Sequence, residues 1–205
     1  MEILSKLGLS LGRDLKKYPD RQHFEHVWFQ EVNRKILGAI GYPYPWIFKK
    51  DRSKILNKFL KDGGFLKKTK TDMFKQMKSE GIKEDELWGF KDPRTCLSFP
   101  VWHKICPNGK FLFLDRHPKD TINRWHGAGT KGYPIFRKYF EENIEMAKKA
   151  DSDYFVLSYE LLSNEWTSTI KKVMDWLQLH DFSKIEGVKS LWNPIFEGKI
   201  RKVSG

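Results

Sequence analysis

The chain has 205 residues, of which 40% are hydrophobic and 15% aromatic. That is enough for one domain with a real core and too apolar for a disordered chain. A formal charge of +12 and a pI of about 9.5 point to anionic partners, while no apolar run is long enough to span a bilayer.

No basic leader and no small-residue cleavage site opens the chain. Cys96 and Cys106 fit no metal or redox spacing, so reduced thiols in a cytoplasmic protein are expected. Ile3, Leu4, Leu7 and Leu11 recur at helical spacing and predict a first helix ended near Gly12. Phe24, Val27, Trp28, Val32, Ile36 and Leu37 predict a second helix, and residues 41–45, Gly-Tyr-Pro-Tyr-Pro, a loop. Ile55, Leu56, Phe59 and Leu60 mark a third helix stopped by Gly63 and Gly64; Met73, Phe74 and Met77 mark a fourth.

Residues 87–91 read as a short strand weakened by Gly89, and Pro93 then turns the chain. Residues 97–105 read as a helix that Pro100 bends or begins. Phe111, Leu112, Phe113 and Leu114 follow an Asn108-Gly109 turn and carry the signature of a strand buried on both faces. Residues 136–150 give an amphipathic helix, and Tyr154, Phe155, Val156 and Leu157 a second buried strand. Asn164 is placed to cap a helix with Ile170, Val173, Met174 and Leu177 inside. Alternating strands and helices predict one α/β domain over residues 1–205, with a three-layer, mostly parallel sheet covered by helices on both faces.

Three segments carry chemistry. Asp115, Arg116, His117 and Pro118 follow a buried strand, with a helix expected near Asp120. Ligands bind beyond the carboxyl ends of parallel strands, and an arginine beside a helix N-terminus suits a phosphate. A salt bridge from Arg116 to Asp115 or Asp120 is the structural alternative. Lys91, Asp92 and Arg94 crowd a turn after the 87–91 strand; an Asp92–Arg94 pair holding that turn is the alternative. Tyr159 ends the third strand and is placed either beside a nucleotide base or in the core.

The stretches WGFKDPRT, FLFLDRHPKDTINRW and YFVLSYELLSNEWTSTIKKVMDWLQL together resemble sulfotransferases that use 3′-phosphoadenosine 5′-phosphosulfate, in their bacterial and phage-like branch. Phe24, Glu25 and Asn33 match an earlier element of that branch, with Gln22 where a glycine would stand. The resemblance spans about residues 3–179 and implies a P-loop-like nucleotide fold. It assigns Arg116 to the donor's 3′-phosphate, Tyr159 to the adenine and Lys91 to the leaving phosphate. The implied reaction moves a sulfuryl group to a hydroxyl or amine of a small-molecule or carbohydrate acceptor, without a metal. Glu25, Asp92 and His103 are the candidate bases.

Two departures stand out. Where the resemblance places a serine that contacts phosphate, this chain has Arg124. The family's first strand and glycine-rich loop are not found ahead of the first helix, and no G-x-x-x-x-G-K-[ST] occurs elsewhere. The first strand is therefore expected to be missing and transfer to be absent or very slow. Residues 41–50 and 127–134 are the expected acceptor loops. Two other readings stay open: a non-catalytic nucleotide- or polyanion-binding protein with the same fold, and a basic nucleic-acid-binding protein. The lysines come in ones and twos with acids between them, which argues against a dedicated nucleic-acid face.

Overall fold

The computed structural model describes residues 1–17, 22–38, 52–117 and 129–196. Helices dominate, and two small sheets accompany them. The first helix, α1, covers only Glu2–Lys6. Leu7, Leu9 and Leu11 are buried beyond it, and their alternation is the period of extended chain rather than of helix. Ser10 there forms a parallel bridge with Trp88, its N–H donating to the Leu87 carbonyl at 3.0 Å. The predicted 87–91 strand is thus reduced to one bridge. Gly12 has φ +74°, and a Cβ there would sit 2.5 Å from a Glu80 carboxylate oxygen. Only glycine allows that approach.

Strands β1 (Leu15–Lys17) and β2 (Gln22–His26) pair antiparallel. The second helix therefore starts later than its apolar spacing suggests: α2 spans Val27–Gly38. Helix α3 spans Arg52–Lys61 and α4 spans Gly63–Ser79. Gly63 and Gly64 do not form a loop, because Asp62 caps α4 by accepting the Phe65 N–H at 2.8 Å. The inner faces of α2, α3 and α4 meet α5 (Thr95–Ile105) in one cluster around Phe29, Leu56, Met73 and Trp102.

Pro100 lies inside α5. A proline removes the bond to the carbonyl four residues back, which is that of Cys96. The Cys96 carbonyl instead accepts from Asn143 Nδ2 at 2.7 Å and Arg52 Nη1 at 3.2 Å. The buried Arg52 thereby joins α3 to α5 and to α6 (Gly129–Lys149). Residues 129–134, expected in an acceptor loop, are already helical; residues 41–50 and 127–128 lie outside the described residues.

Strands β3 (Phe111–Asp115) and β4 (Tyr154–Ser158) run parallel, in register from Phe111↔Tyr154 to Asp115↔Ser158, and α6 crosses between them. Phe111, Phe113 and Tyr154 pack on one face with Phe99, Phe140 and Ala147. Leu112, Phe155 and Leu157 join the opposite cluster with Ile170, Val173 and Met174. The strands are not buried throughout on both faces, since Leu114 is 54% and Val156 41% exposed. Among the described residues this sheet has two strands, so both outer edges are without a partner strand there.

Helix α7 (Tyr159–Asn164) starts at Ser158, whose Oγ accepts the Leu161 N–H at 3.2 Å. Tyr159 therefore opens a helix instead of ending a strand. Asn164 closes α7 and does not cap the next helix, α8 (Trp166–Leu177), which Glu165 precedes. A short 3-10 turn, Phe182–Lys184, leads to α9 (Ile185–Phe196). The architecture is mixed α/β and mostly helical around a two-stranded parallel sheet. Among the described residues that sheet does not extend to the three-layer, mostly parallel arrangement expected from the sequence. Among the described residues no helix is long and apolar enough to cross a membrane.

Candidate functional site

The chain enters α2 through an unusual backbone step. Phe24 has φ 52°, a left-handed conformation that a bulky residue adopts at a cost. The next residue, Glu25, is buried. Its carboxylate takes Lys91 Nζ at 3.2 Å on one oxygen. The other oxygen accepts from Gln30 Nε2 and faces Arg94 Nη1 at 3.7 Å.

Asp92 is buried beside this pair. One carboxylate oxygen accepts from the Arg94 backbone N–H at 2.9 Å and from its guanidinium at 2.8 Å. The other accepts from Asn33 Nδ2 at 2.9 Å. Asn33, wholly buried, also donates to Thr95 Oγ1 at 3.2 Å. Its carbonyl oxygen accepts from Ser98 Oγ at 2.5 Å and Trp102 Nε1 at 2.8 Å. Every bonding group of the amide is used. The turn before α5 is thereby locked, and Lys91 stands half-exposed at its start with its ammonium against Glu25.

A second group lies where β3 and β4 end. The Arg116 guanidinium sits over the Tyr159 ring, 4.0 Å from its centre. That is a cation–π contact between the residues that follow the last register pair of the two strands. Of the two acids expected as ion-pair partners of Arg116, Asp115 takes Arg137 Nη1 from α6 at 2.6 Å, and Asp120 lies outside the described residues. Glu141 also bonds Arg137, at 2.6 Å; that bond and then Asp115 outweigh burial and hold the guanidinium charged well above its ordinary value. Glu160 accepts the His117 N–H at 2.7 Å. Burial would raise the Glu160 carboxyl, but hydrogen bonds from His117, its own N–H and Ser158 bring it below the usual range. These acids fix the two turns, and the arginine and tyrosine between them are each partly buried.

Helix α5 relates the two groups. Phe99 packs 5.1 Å from the Phe111 ring and 5.3 Å from that of Phe113, and His103, one turn later, packs 5.5 Å from Phe111. The helix therefore runs back along β3. Its first turn, with Lys91 to Arg94 just ahead, lies toward the carboxyl end of the strand, the end that Arg116 follows.

Of the residues expected from the sequence, Glu25, Lys91 and Asp92 are brought together, and Arg116 and Tyr159 are brought together. His103 is not with the first three. It sits in the last turn of α5, bonded to Ser152 Oγ at 2.7 Å, and eight residues of helix put it about 12 Å from Thr95. Burial, then Lys104, lowers its pKa from the usual value. Arg124 lies outside the described residues. Sequence reasoning missed the parts played by Gln30, Ser98, Trp102 and Arg137. Nothing local in the sequence marks them, although Gln30 and Asn33, three apart on the inner face of α2, are buried polar positions that require partners.

Burial pushes Cys96 and Cys106 up to about 11 each, against smaller opposing effects of Arg52 and Lys70, so neither is a nucleophile near neutral pH. Among the described residues no group of His, Cys, Asp and Glu is placed to hold a metal ion. The sequence matches no family model and no curated protein, and the fold matches no solved structure.

Proposed function

We propose that the chain binds 3′-phosphoadenosine 5′-phosphosulfate across the carboxyl ends of β3 and β4, as a sulfotransferase-like domain of P-loop-like architecture. The observation that carries this reading is the stacking of Arg116 over Tyr159 at 4.0 Å where the parallel strands end. A guanidinium held there offers a fork to a phosphate, and the neighbouring phenol ring offers an apolar face to a purine.

The donor supplies a sulfuryl group on a phosphate leaving group. In the transfer, an acceptor hydroxyl or amine forms a new bond to sulfur, and the sulfur–oxygen bond to the 5′-phosphate breaks. The electron pair leaves with adenosine 3′,5′-bisphosphate. Lys91 supplies the charge that stabilises that developing negative oxygen. Glu25, 3.2 Å from Lys91, takes the acceptor's proton. Asp92, its side chain 1% exposed against 7% for Glu25, is held by Arg94 and Asn33 and acts by holding the turn. His103 is too remote to serve as the base.

The first test is calorimetry with adenosine 3′,5′-bisphosphate. Binding by the wild type, weakened at least about tenfold by Arg116→Ala, is expected from the loss of a charged hydrogen bond worth roughly 1.5–3 kcal/mol. Equal binding by both proteins removes Arg116 from the site. The second test is transfer from labelled donor to a panel of phenols, sugars and amines. Lys91→Ala should lower kcat far more than it raises KM for the donor.

A further inference from the structure

Helix α4 carries five lysines and one aspartate. Lys67, Lys70, Phe74 and Lys78 stand at i, i+3, i+7 and i+11, a spacing that puts them on one face. All four are exposed, Phe74 at 51%, while Thr69, Met73 and Met77 bury the neighbouring face. Lys75 borders the same stripe and is exposed. The helix's one acid lies to the side, where Asp72 pairs with Lys68 at 2.9 Å. Among the described residues, Lys67, Lys70, Lys75 and Lys78 make no ion pair. Lysines that come in ones and twos in the sequence are thus gathered by the helix into a continuous positive band with an aromatic ring in its middle.

We propose that this face of α4 docks single-stranded nucleic acid. Lysines are point charges suited to phosphate, and Phe74, with Lys70 and Lys78 one turn to either side, offers a stacking surface to an unpaired base between two phosphates. No arginine, asparagine or glutamine stands in the stripe to read base edges, so binding is independent of sequence. An acidic polysaccharide would meet the same lysines, but its charged sugar rings have little use for an aromatic face; the ring favours a base. The proposal does not depend on sulfuryl transfer.

The test uses fluorescence anisotropy of a 5′-labelled oligothymidylate with the full chain, over a range of KCl. Lys67→Glu/Lys70→Glu should weaken binding at least about tenfold and reduce the slope of log affinity against log salt by about 1.4, two phosphates at about 0.7 each. Lys148→Glu/Lys149→Glu, an equal change of charge in the exposed last turn of α6, should have much less effect. Phe74→Ala, which removes an exposed ring, should weaken binding about fivefold or more. No binding by the wild type, equal losses in the two double variants, or no effect of Phe74→Ala overturns the proposal. So does heparin binding that depends on Phe74 to the same degree.

Discussion

Asn33 is wholly buried and bonds four side chains from two other segments, whereas Arg116 is half-buried and leans on the ring of the residue that opens α7. The first corner of the site is fixed by groups far apart in the chain: α2 supplies Gln30 and Asn33, β2 supplies Glu25, and the turn before α5 supplies Lys91, Asp92 and Arg94. Its geometry is set by burial, where an unmade hydrogen bond is expensive. The second corner is built from residues that follow two paired strands, so strand register alone brings them together. Variants at the first corner should therefore act on stability as well as on any chemistry, and those at the second on binding with the fold intact.

The largest expected effect is at Asn33. Asn33→Ala leaves one oxygen of the buried Asp92 carboxylate and the Trp102 indole N–H without their bonds, and leaves Ser98 Oγ only a long one to the Arg94 carbonyl at 3.4 Å; it should cost about 3–5 kcal/mol in urea unfolding. A loss below about 1 kcal/mol would mean that the network adjusts and does not lock the turn.

Arg116→Ala and Tyr159→Ala should each change unfolding free energy by about 1 kcal/mol or less, as for partly exposed contacts, even where bisphosphate binding is lost. Destabilisation as large as that of Asn33→Ala would erase the contrast between the corners.

A third region shows what buried polar anchoring does to pH dependence. Trp28 N–H donates to His26 Nδ1 at 3.2 Å, so His26 Nε2 carries the proton and donates to Glu80 at 2.8 Å. Burial raises the Glu80 carboxyl, but hydrogen bonds from Gln76 and the backbone of Arg13 and Asp14, with His26 nearby, bring it below its ordinary 4.5. A depressed folded-state value gives stability that is fully present above 4.5 and is lost as pH falls through the folded value. Thermal unfolding should show the melting temperature falling over that acid range. Glu80→Gln should lower it at neutral pH and flatten the acid slope. An unchanged slope would remove Glu80 as its source.

Much of the chain was legible from residue patterns. The helical spacing at residues 55–60 and 170–177 and the apolar runs at 111–114 and 154–157 each specify an element locally, and the parallel pairing of those strands follows from the helix between them. The closeness of Arg116 to Tyr159 follows in turn, since each comes directly after a paired strand. Period alone was ambiguous at Leu7, Leu9 and Leu11, where spacings of two and of three to four coincide, and at Gly63, where an aspartate cap outweighs two glycines. Tertiary structure alone decided that Glu25 meets Lys91, because 66 residues separate them and only the packing of α2 on α5 closes that distance. It also decided that His103 turns away toward Ser152, that Arg52 replaces the bond Pro100 removes, and that Leu114 and Val156 stay bare. Hydrophobic period fixes which face of an element is apolar; which element covers that face, and which buried polar groups then find each other, depends on contacts between distant segments that no local pattern encodes.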